Sequence, residues 1–278
     1  MAKFLGQFES NTPEWHDLRK GKVGGSQVGA ILGVNPWESA VTCWYKVTGQ
    51  ISSDIPVSSS MRIGTLIEEA LFNIWCAENP EFESFYQPGT FAHDDFPQFI
   101  SNPDAFITDV AGNKGVVDFK YSASFWDEVP EHYLWQVRWY MWVNDLDFAY
   151  VAGLIGGRWK QFRVERSDFL EEVMVESVLR FWEACVSLTR PAWDGSESSY
   201  ETMREVNSDI VAGDVELGEL GRNLMDAVIG FNDAQSDLNE AKSRVLDALG
   251  DSRNGLLNGE RICYRQMASS GKPFLKVM

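Results

Sequence analysis

Apolar residues recur along this chain in two rhythms, a spacing of three and four and a near-alternation, and each predicts an element. Ile63, Leu66, Ile67, Ala70, Leu71 and Ile74 make one stripe of an amphipathic helix at 65–78, which has to stop before Asn79-Pro80. A short helix at 26–32 follows Gly24-Gly25, and another at 39–48 is closed by Gly49. The polar stretch 52–60 separates these from the 65–78 helix. Strands are expected within 98–121, at 147–155 and at 159–165, the last two joined by Gly156-Gly157, a hairpin signal. Helices are expected at 130–144, with Pro130 suited to the first turn, and at 167–188. Strands interleaved with helices argue for an α/β or α+β core, a mixed central sheet flanked by helices.

The pattern changes near the C-terminus. Leu217, Leu220, Leu224, Ala227, Phe231, Ala234, Leu238, Ala241, Val245 and Ala248 alternate spacings of three and four, which is a heptad seam. Gly218, Gly221 and Gly230 weaken that helix, so it needs packing, and Gly250 suits its C-terminal end. Asn258-Gly259 between two apolar runs is the signal of a type I′ hairpin. The expected division is therefore a core domain at 1–209 and a helix-plus-hairpin appendage at 210–278.

Composition narrows the class. The chain has 278 residues, 44% hydrophobic and 23% charged, as in a globular protein large enough to bury a core. No run approaches a membrane span and no signal peptide opens the chain, so a cytoplasmic protein is expected. Cys43, Cys76, Cys185 and Cys263 show no metal-ligand or redox spacing and read as free thiols. The net charge of −17 excludes nucleic-acid binding through a global positive field. The acid is concentrated: residues 1–210 hold 16 basic and 31 acidic side chains, whereas 251–278 hold five and two. If the chain handles DNA, its basic groups act locally and its acids lie elsewhere or hold metal.

The candidate chemistry lies in Asn102-Pro103-Asp104 and Val116-Val117-Asp118-Phe119-Lys120. A hairpin with the loop Ala111-Gly112-Asn113 pairs Val110 with Lys114 and sets Asp104 opposite Lys120. Side chains alternate, so Asp104, Asp118 and Lys120 then share a face, with Ile107, Val117 and Phe119 on the apolar one. Two carboxylates and an amine at one sheet edge suit a hard divalent cation and a phosphate. A one-residue slip would separate the acids. Each motif alone has a plainer explanation: Asp-x-Lys as a solvated face, Asn-Pro-Asp as a turn, and Thr65 to Glu68 as a helix-capping box.

Together they are more specific. Asp104 followed by Asp118-Phe119-Lys120 resembles the PD-(D/E)xK nuclease signature. Over about 14–205 the chain resembles the YqaJ-type viral recombinases, the family of phage lambda exonuclease. The resemblance runs through Trp15-His-Asp-Leu-Arg19, the segment 24–33, Arg62-Ile-Gly-Thr-Leu-Ile-Glu68 and Gln136-Val-Arg-Trp-Tyr-Met-Trp-Val143. It implies a PD-(D/E)xK, restriction-endonuclease-like core. It also implies a 5′→3′ exonuclease that degrades one strand of linear duplex DNA from 5′-phosphorylated ends, leaving 3′ tails for recombination. By the same resemblance, Asp104, Asp118, the Phe119 carbonyl and Glu68 bind two Mg²⁺ ions, with Mn²⁺ as a substitute, and Glu69 is a weaker candidate than Glu68. Lys120, Glu68 and Gln136 are catalytic, and Arg19 with Ser26 holds the 5′-phosphate. The partners implied are DNA ends, a homo-oligomer in the form of a trimeric ring, and a single-strand annealing protein, in a bacterial or prophage setting. Asp118 departs from the commoner Glu, and the appendage departs from the compact phage enzyme.

Other features carry less. Trp75, Trp135, Trp139 and Trp142 sit among apolar neighbours and read as core rather than base-stacking groups. His16, His93 and His132 make no metal-ligand spacing, and Gly24-Gly25 with Gly29 lacks the Lys-Ser/Thr ending of a P-loop. The four cysteines do not supply an iron–sulfur site. Arg138, Arg158, Lys160 and Arg163 are candidates to line a DNA channel. The alternatives to the exonuclease are a structure-specific or endonucleolytic relative and an inactive DNA-end binder.

Overall fold

The computed structural model describes residues 2–8, 12–52, 58–269 and 271–278. In chain order the first elements are β1 (Lys3–Gly6), α1 (Pro13–Arg19), β2 (Val23–Gly24), α2 (Gly25–Ile31) and α3 (Ala40–Val47). Next come α4 (Ser59–Glu78), β3 (Glu83–Tyr86), β4 (Thr90–Ala92), β5 (Phe99–Ser101), β6 (Ala105–Thr108) and β7 (Lys114–Ser122). Then follow α5 (Glu131–Asn144), β8 (Phe148–Ile155), β9 (Arg158–Glu165), α6 (Asp168–Val186) and α7 (Glu197–Val206). The last are α8 (Glu219–Leu249), β10 (Asn254–Leu257), β11 (Glu260–Met267) and β12 (Pro273–Val277). The chain divides into two compact units, Met1–Asp209 and Ile210–Met278.

The first unit is built on a five-stranded mixed sheet of order β3-β6-β7-β8-β9. Only β7 and β8 run parallel, joined by the crossover helix α5. A smaller sheet, β1-β4-β5-β2, lies beside it in the same unit. Alternation along β7 and β8 divides the core in two. Val117, Phe119, Phe148 and Ala152 pack with Leu71 and Trp75 of α4. Val116, Ala149 and Val151 face the other way, among Val137 and Trp139 of α5 and Met174 and Val178 of α6. Trp75 and Trp139 are both fully buried, so these rings are core as their apolar neighbours implied.

Three local expectations are corrected. The helix expected at 65–78 begins at Ser59, because the Ser58 hydroxyl caps it by accepting from the Met61 N–H at 3.2 Å. Thr65 is therefore inside the helix, with its hydroxyl donating to the Met61 carbonyl, and the capping box at Thr65–Glu68 does not form. Of the loop expected at 52–60, residues 53–57 lie outside the described residues. The segment 98–121 is not one hairpin, since β5 belongs to the smaller sheet. Asn102-Pro103-Asp104 carries the chain between sheets, where Pro103 has no N–H to continue a ladder.

The β6–β7 register is the third correction. Ala105 pairs with Val117 and Thr108 with Lys114, which brings Asp104 level with Asp118 rather than Lys120. The loop has three residues as expected but is Val110-Ala111-Gly112. Asp109 sets it there: its carboxylate accepts from the Ala111 and Asn113 N–H groups, both at 2.9 Å, and its N–H donates to the Asn113 carbonyl. The shift amounts to two residues in pairing, an even number, so every side chain stays on its expected face.

In the second unit α8 holds the heptad seam from Leu220 to Ala248 but not Leu217, and Leu220, Leu224, Phe231 and Leu238 are exposed; the Asn258-Gly259 turn has positive φ at both residues, 53° and 87°. The hairpin gains a third strand, β12, giving the order β10-β11-β12. Cys263 and Leu275 are the buried residues of this small sheet.

Candidate active site

Strand β7 carries the chemistry because its C-terminal half runs past the end of β6. Ala105 is the last β6 residue paired to it, so Asp118, Phe119 and Lys120 have no neighbour strand on that edge. Asp104, the residue before β6, fills the edge with its side chain: its Oδ2 accepts from the Phe119 N–H at 2.6 Å. The N–H and C=O of one strand residue point the same way, so the Phe119 carbonyl also opens towards Asp104.

Asp118 and Lys120 project from the face that α5 covers. Asp118 is 1% exposed, and its Oδ2 lies 2.6 Å from Lys120 Nζ. That approach lacks hydrogen-bond geometry, so Oδ2 is a buried carboxylate oxygen without a hydrogen bond. Gln136 of α5 ties the pair together. Its Nε2 donates to Asp118 Oδ1 at 3.3 Å, and its Oε1 accepts from Lys120 Nζ at 3.4 Å. Gln136 Nε2 also donates to the Tyr140 hydroxyl at 2.8 Å, one turn further along the helix. Glu68 reaches the region from α4 and accepts from the Tyr86 hydroxyl at 3.3 Å. Glu69 is exposed.

The electrostatics are those of crowded acids. Asp104 is pushed well above the usual carboxylate range, first by burial and then by Asp118 and Glu68. Burial raises Asp118, against the pull of Lys120, and also raises Glu68, against hydrogen bonds from Tyr86 and Gln87. Burial opposes the charge of Lys120, but Asp118 and Asp104 outweigh it and hold the side chain as an ammonium ion. Among the described residues, no three His, Cys, Asp or Glu side chains gather into a metal-ligand cluster by themselves. A cation at Asp104 and Asp118 would be completed by the Phe119 carbonyl and solvent.

A second polar group lies where α1 and α2 meet the Asn102 turn. Arg19 Nη1 donates to Asn102 Oδ1 at 2.9 Å, and Nη2 donates to Ser26 Oγ at 3.4 Å. The Arg19 guanidinium stacks 4.3 Å above the Trp15 ring. Burial lowers the Arg19 pKa, and its hydrogen bonds to Asn102 and Ser26 go to neutral oxygens, which leaves its charge for an anion. The two groups are linked through Tyr140. A Cβ on Gly25 would come within 2.6 Å of Tyr140 Cε1, so a glycine is needed for this contact.

The structure thus brings Asp104, Asp118, Phe119, Lys120, Gln136 and Glu68 to one end of the sheet, and pairs Arg19 with Ser26. It does not bring in Arg163, which stacks on Phe148 from the opposite face and pairs with Glu165 at 2.6 Å. Arg138 is half-buried beside Trp135. Asn102 and Tyr140 lie in segments named from sequence but were given no role there. Tyr140 had a signal, four residues beyond Gln136 on the same helix face. Asn102 had none beyond its turn propensity.

The family model for the YqaJ-like viral recombinase domain matches residues 14–147. The matched span runs from α1 to the end of α5 and holds Arg19, Ser26, Glu68, Asp104, Asp118, Phe119, Lys120 and Gln136. The uncharacterized protein YqaJ of Bacillus subtilis (strain 168) is 24% identical over 282 residues, covering 94% of this chain and 86% of that protein. The alkaline exonuclease LHK-Exo from Laribacter hongkongensis shares the fold, with a TM-score of 0.53 at 16% identity, over 71% of this chain and 100% of that one. The same enzyme in complex with dAMP gives a TM-score of 0.54 at 17% identity. The chain shares the PD-(D/E)xK fold of phage-type exonucleases, as the sequence resemblance implied.

Proposed function

We propose that this chain is a Mg²⁺-dependent 5′→3′ exonuclease, using Mn²⁺ in place of Mg²⁺ when offered. It degrades one strand of linear duplex DNA from a 5′-phosphorylated end and leaves a 3′ single-stranded tail for recombination. The observation that carries the reading is the pairing of Asp104 and Asp118 at the open edge of β7, beside a lysine held charged. The donor set suits a hard divalent ion: two carboxylates and a main-chain carbonyl. Asp104 and Asp118 hold the ions, with Glu68 behind them. When bound, such ions activate water and stabilise the leaving 3′ oxygen.

The other residues divide the remaining work. Lys120 places an ammonium beside the acids, where it balances charge on a scissile phosphate. Gln136 holds Lys120 and Asp118 in register with each other. Arg19, Ser26 and Asn102 bind the terminal phosphate, which sets the polarity by anchoring the 5′ end. The relative's complex with dAMP supports release of mononucleotides. The protein acts on DNA ends as a homo-oligomer, a trimeric ring, with a single-strand annealing partner, in the cytoplasm of a bacterial host. Among the described residues no helix is long and apolar enough to cross a membrane.

The test uses duplex DNA labelled at one end and carrying either a 5′-phosphate or a 5′-hydroxyl, with Mg²⁺ or EDTA. Mg²⁺-dependent release of mononucleotides from the phosphorylated strand, absent in Lys120→Ala, is the expected result. Cuts in circular DNA would favour an endonuclease, and binding without cleavage an inactive end binder.

A further inference from the structure

A ladder of rings and cations leads away from Lys120 across the sheet. Lys120 Nζ sits 4.6 Å from the centroid of Tyr133. Tyr133 lies 6.0 Å from Trp126, and Trp126 stacks on Phe162 at 5.8 Å with an interplanar angle of 11°. Lys160 Nζ follows, 5.9 Å from Phe162 and 4.4 Å from Phe125. The ladder ends in solvent, since Phe125 is 52% exposed.

The backbone explains why these groups line up. Lys120 pairs with Gly153 of β8, and Gly153 with Lys160 of β9, so the two lysines point to the same face, two strands apart. That separation is about 10 Å. Between them Gly153 offers no side chain, and a Cβ there would lie 1.8 Å from the Lys120 carbonyl oxygen. The row Lys120-Gly153-Lys160 is therefore low at its centre. Residues between β7 and α5 pass Phe125 and Trp126 alongside it.

We infer that this ladder is a binding track for single-stranded DNA, and the inference rests on the nuclease reading of the Lys120 site. Single strands are held by rings that stack bases and by cations that meet phosphates, and here Lys120 and Lys160 flank a run of three rings, with Phe125 beyond. Among the described residues Lys160 pairs with Asp127, 4.0 Å away and 86% exposed, so the cation is only weakly engaged. The track explains how a chain of net charge −17 holds a strand at its acidic site: the contact is local and partly uncharged. Its direction, from Lys120 outwards, suits the strand that has been separated from the duplex near the site.

The test is a photocrosslink and a binding titration in EDTA, where nothing is cut. A short oligothymidylate carrying 4-thiothymidine is expected to crosslink within the peptide that holds Phe125 and Trp126. Phe125→Ala and Lys160→Ala are each expected to weaken binding of a fluorescein-labelled oligothymidylate roughly tenfold. Circular dichroism checks that both variants are folded, and both positions are accessible enough to substitute without opening the core. Crosslinks elsewhere, or unchanged affinity in both folded variants, would overturn the track. A wild-type protein that crosslinks at this peptide yet cleaves no duplex with Mg²⁺ would overturn the nuclease reading instead, leaving a single-strand binder.

Discussion

Lys120→Ala isolates the charge balance at the end of β7. Asp118 is 1% exposed and Lys120 retains 17% side-chain exposure, so the pair at 2.6 Å is largely removed from water. Removing one partner of a buried ion pair costs about 3–5 kcal/mol, because the other charge is left behind. The lower end applies here, since the lysine still touches solvent and Gln136 keeps a hydrogen bond to Asp118. A loss of about 3 kcal/mol is then expected for the first unit, or a drop in Tm of roughly 6–12 °C at 2–4 °C per kcal/mol for a unit of this size. All eleven tryptophans lie in residues 1–209, so tryptophan fluorescence during urea unfolding follows that unit alone. Adding Asp118→Asn to Lys120→Ala removes the stranded charge and is expected to recover most of the loss, with cleavage absent in both proteins. Mg²⁺ is expected to stabilise the single variant by mass action, about 1.4 kcal/mol at tenfold over its dissociation constant. If the single variant is as stable as wild type, or the second substitution lowers stability further, the electrostatic account of this site is wrong.

Three other outcomes follow from the geometry. Arg19→Ala loses a charged hydrogen-bonding group, worth about 1.5–3 kcal/mol, so the preference for 5′-phosphate over 5′-hydroxyl ends should fall roughly ten- to hundredfold in an end-cleavage assay. Gly25→Ala puts a methyl against Tyr140 and should cost about 1–3 kcal/mol in urea unfolding, unless the ring moves freely. Burial pushes the Cys43 thiol well above its ordinary value, so it stays protonated in the folded protein at mildly alkaline pH. Iodoacetamide at pH 8 should spare Cys43 until denaturant is added, and mass spectrometry of the alkylated peptides checks this.

The helices were legible where an apolar stripe is continuous. In α4 only Leu71 and Trp75 are buried, while Ile63, Leu66 and Ile74 of the expected stripe are exposed; Ser58–Met61 carry no stripe and the extra turn rests on a single hydroxyl cap. Strands of three or four residues, such as β1, β3 and β4, are too short to show a period and exist through their neighbours. The polar α7 escaped for a related reason: among its buried residues are Ser199 and Thr202, held by hydrogen bonds to Ser39 and Thr42 rather than by an apolar face. At the site, alternation was enough to put Asp104, Asp118 and Lys120 on one face, although the pairing was off by two. Arg19 touching Asn102, 83 residues away, is tertiary proximity that no local pattern encodes.

The acidic chain and a DNA substrate are compatible if few cations do the binding. On the site side these are Arg19, Lys120 and Lys160, each stacked on an aromatic ring and so held in place. Binding of duplex DNA releases counterions in proportion to the phosphates neutralised, with a slope of log K against log salt of about −0.9 per contact. Three contacts per protomer give a slope near −3, against about −10 for a protein that binds through a broad basic face. Fluorescence anisotropy with a labelled duplex that carries a single-stranded tail, in EDTA and from low to moderate salt, measures it directly. Lys160→Ala should reduce the slope by about one. A wild-type slope several units steeper would mean that a larger basic surface holds the DNA, and the local reading of its electrostatics would fall.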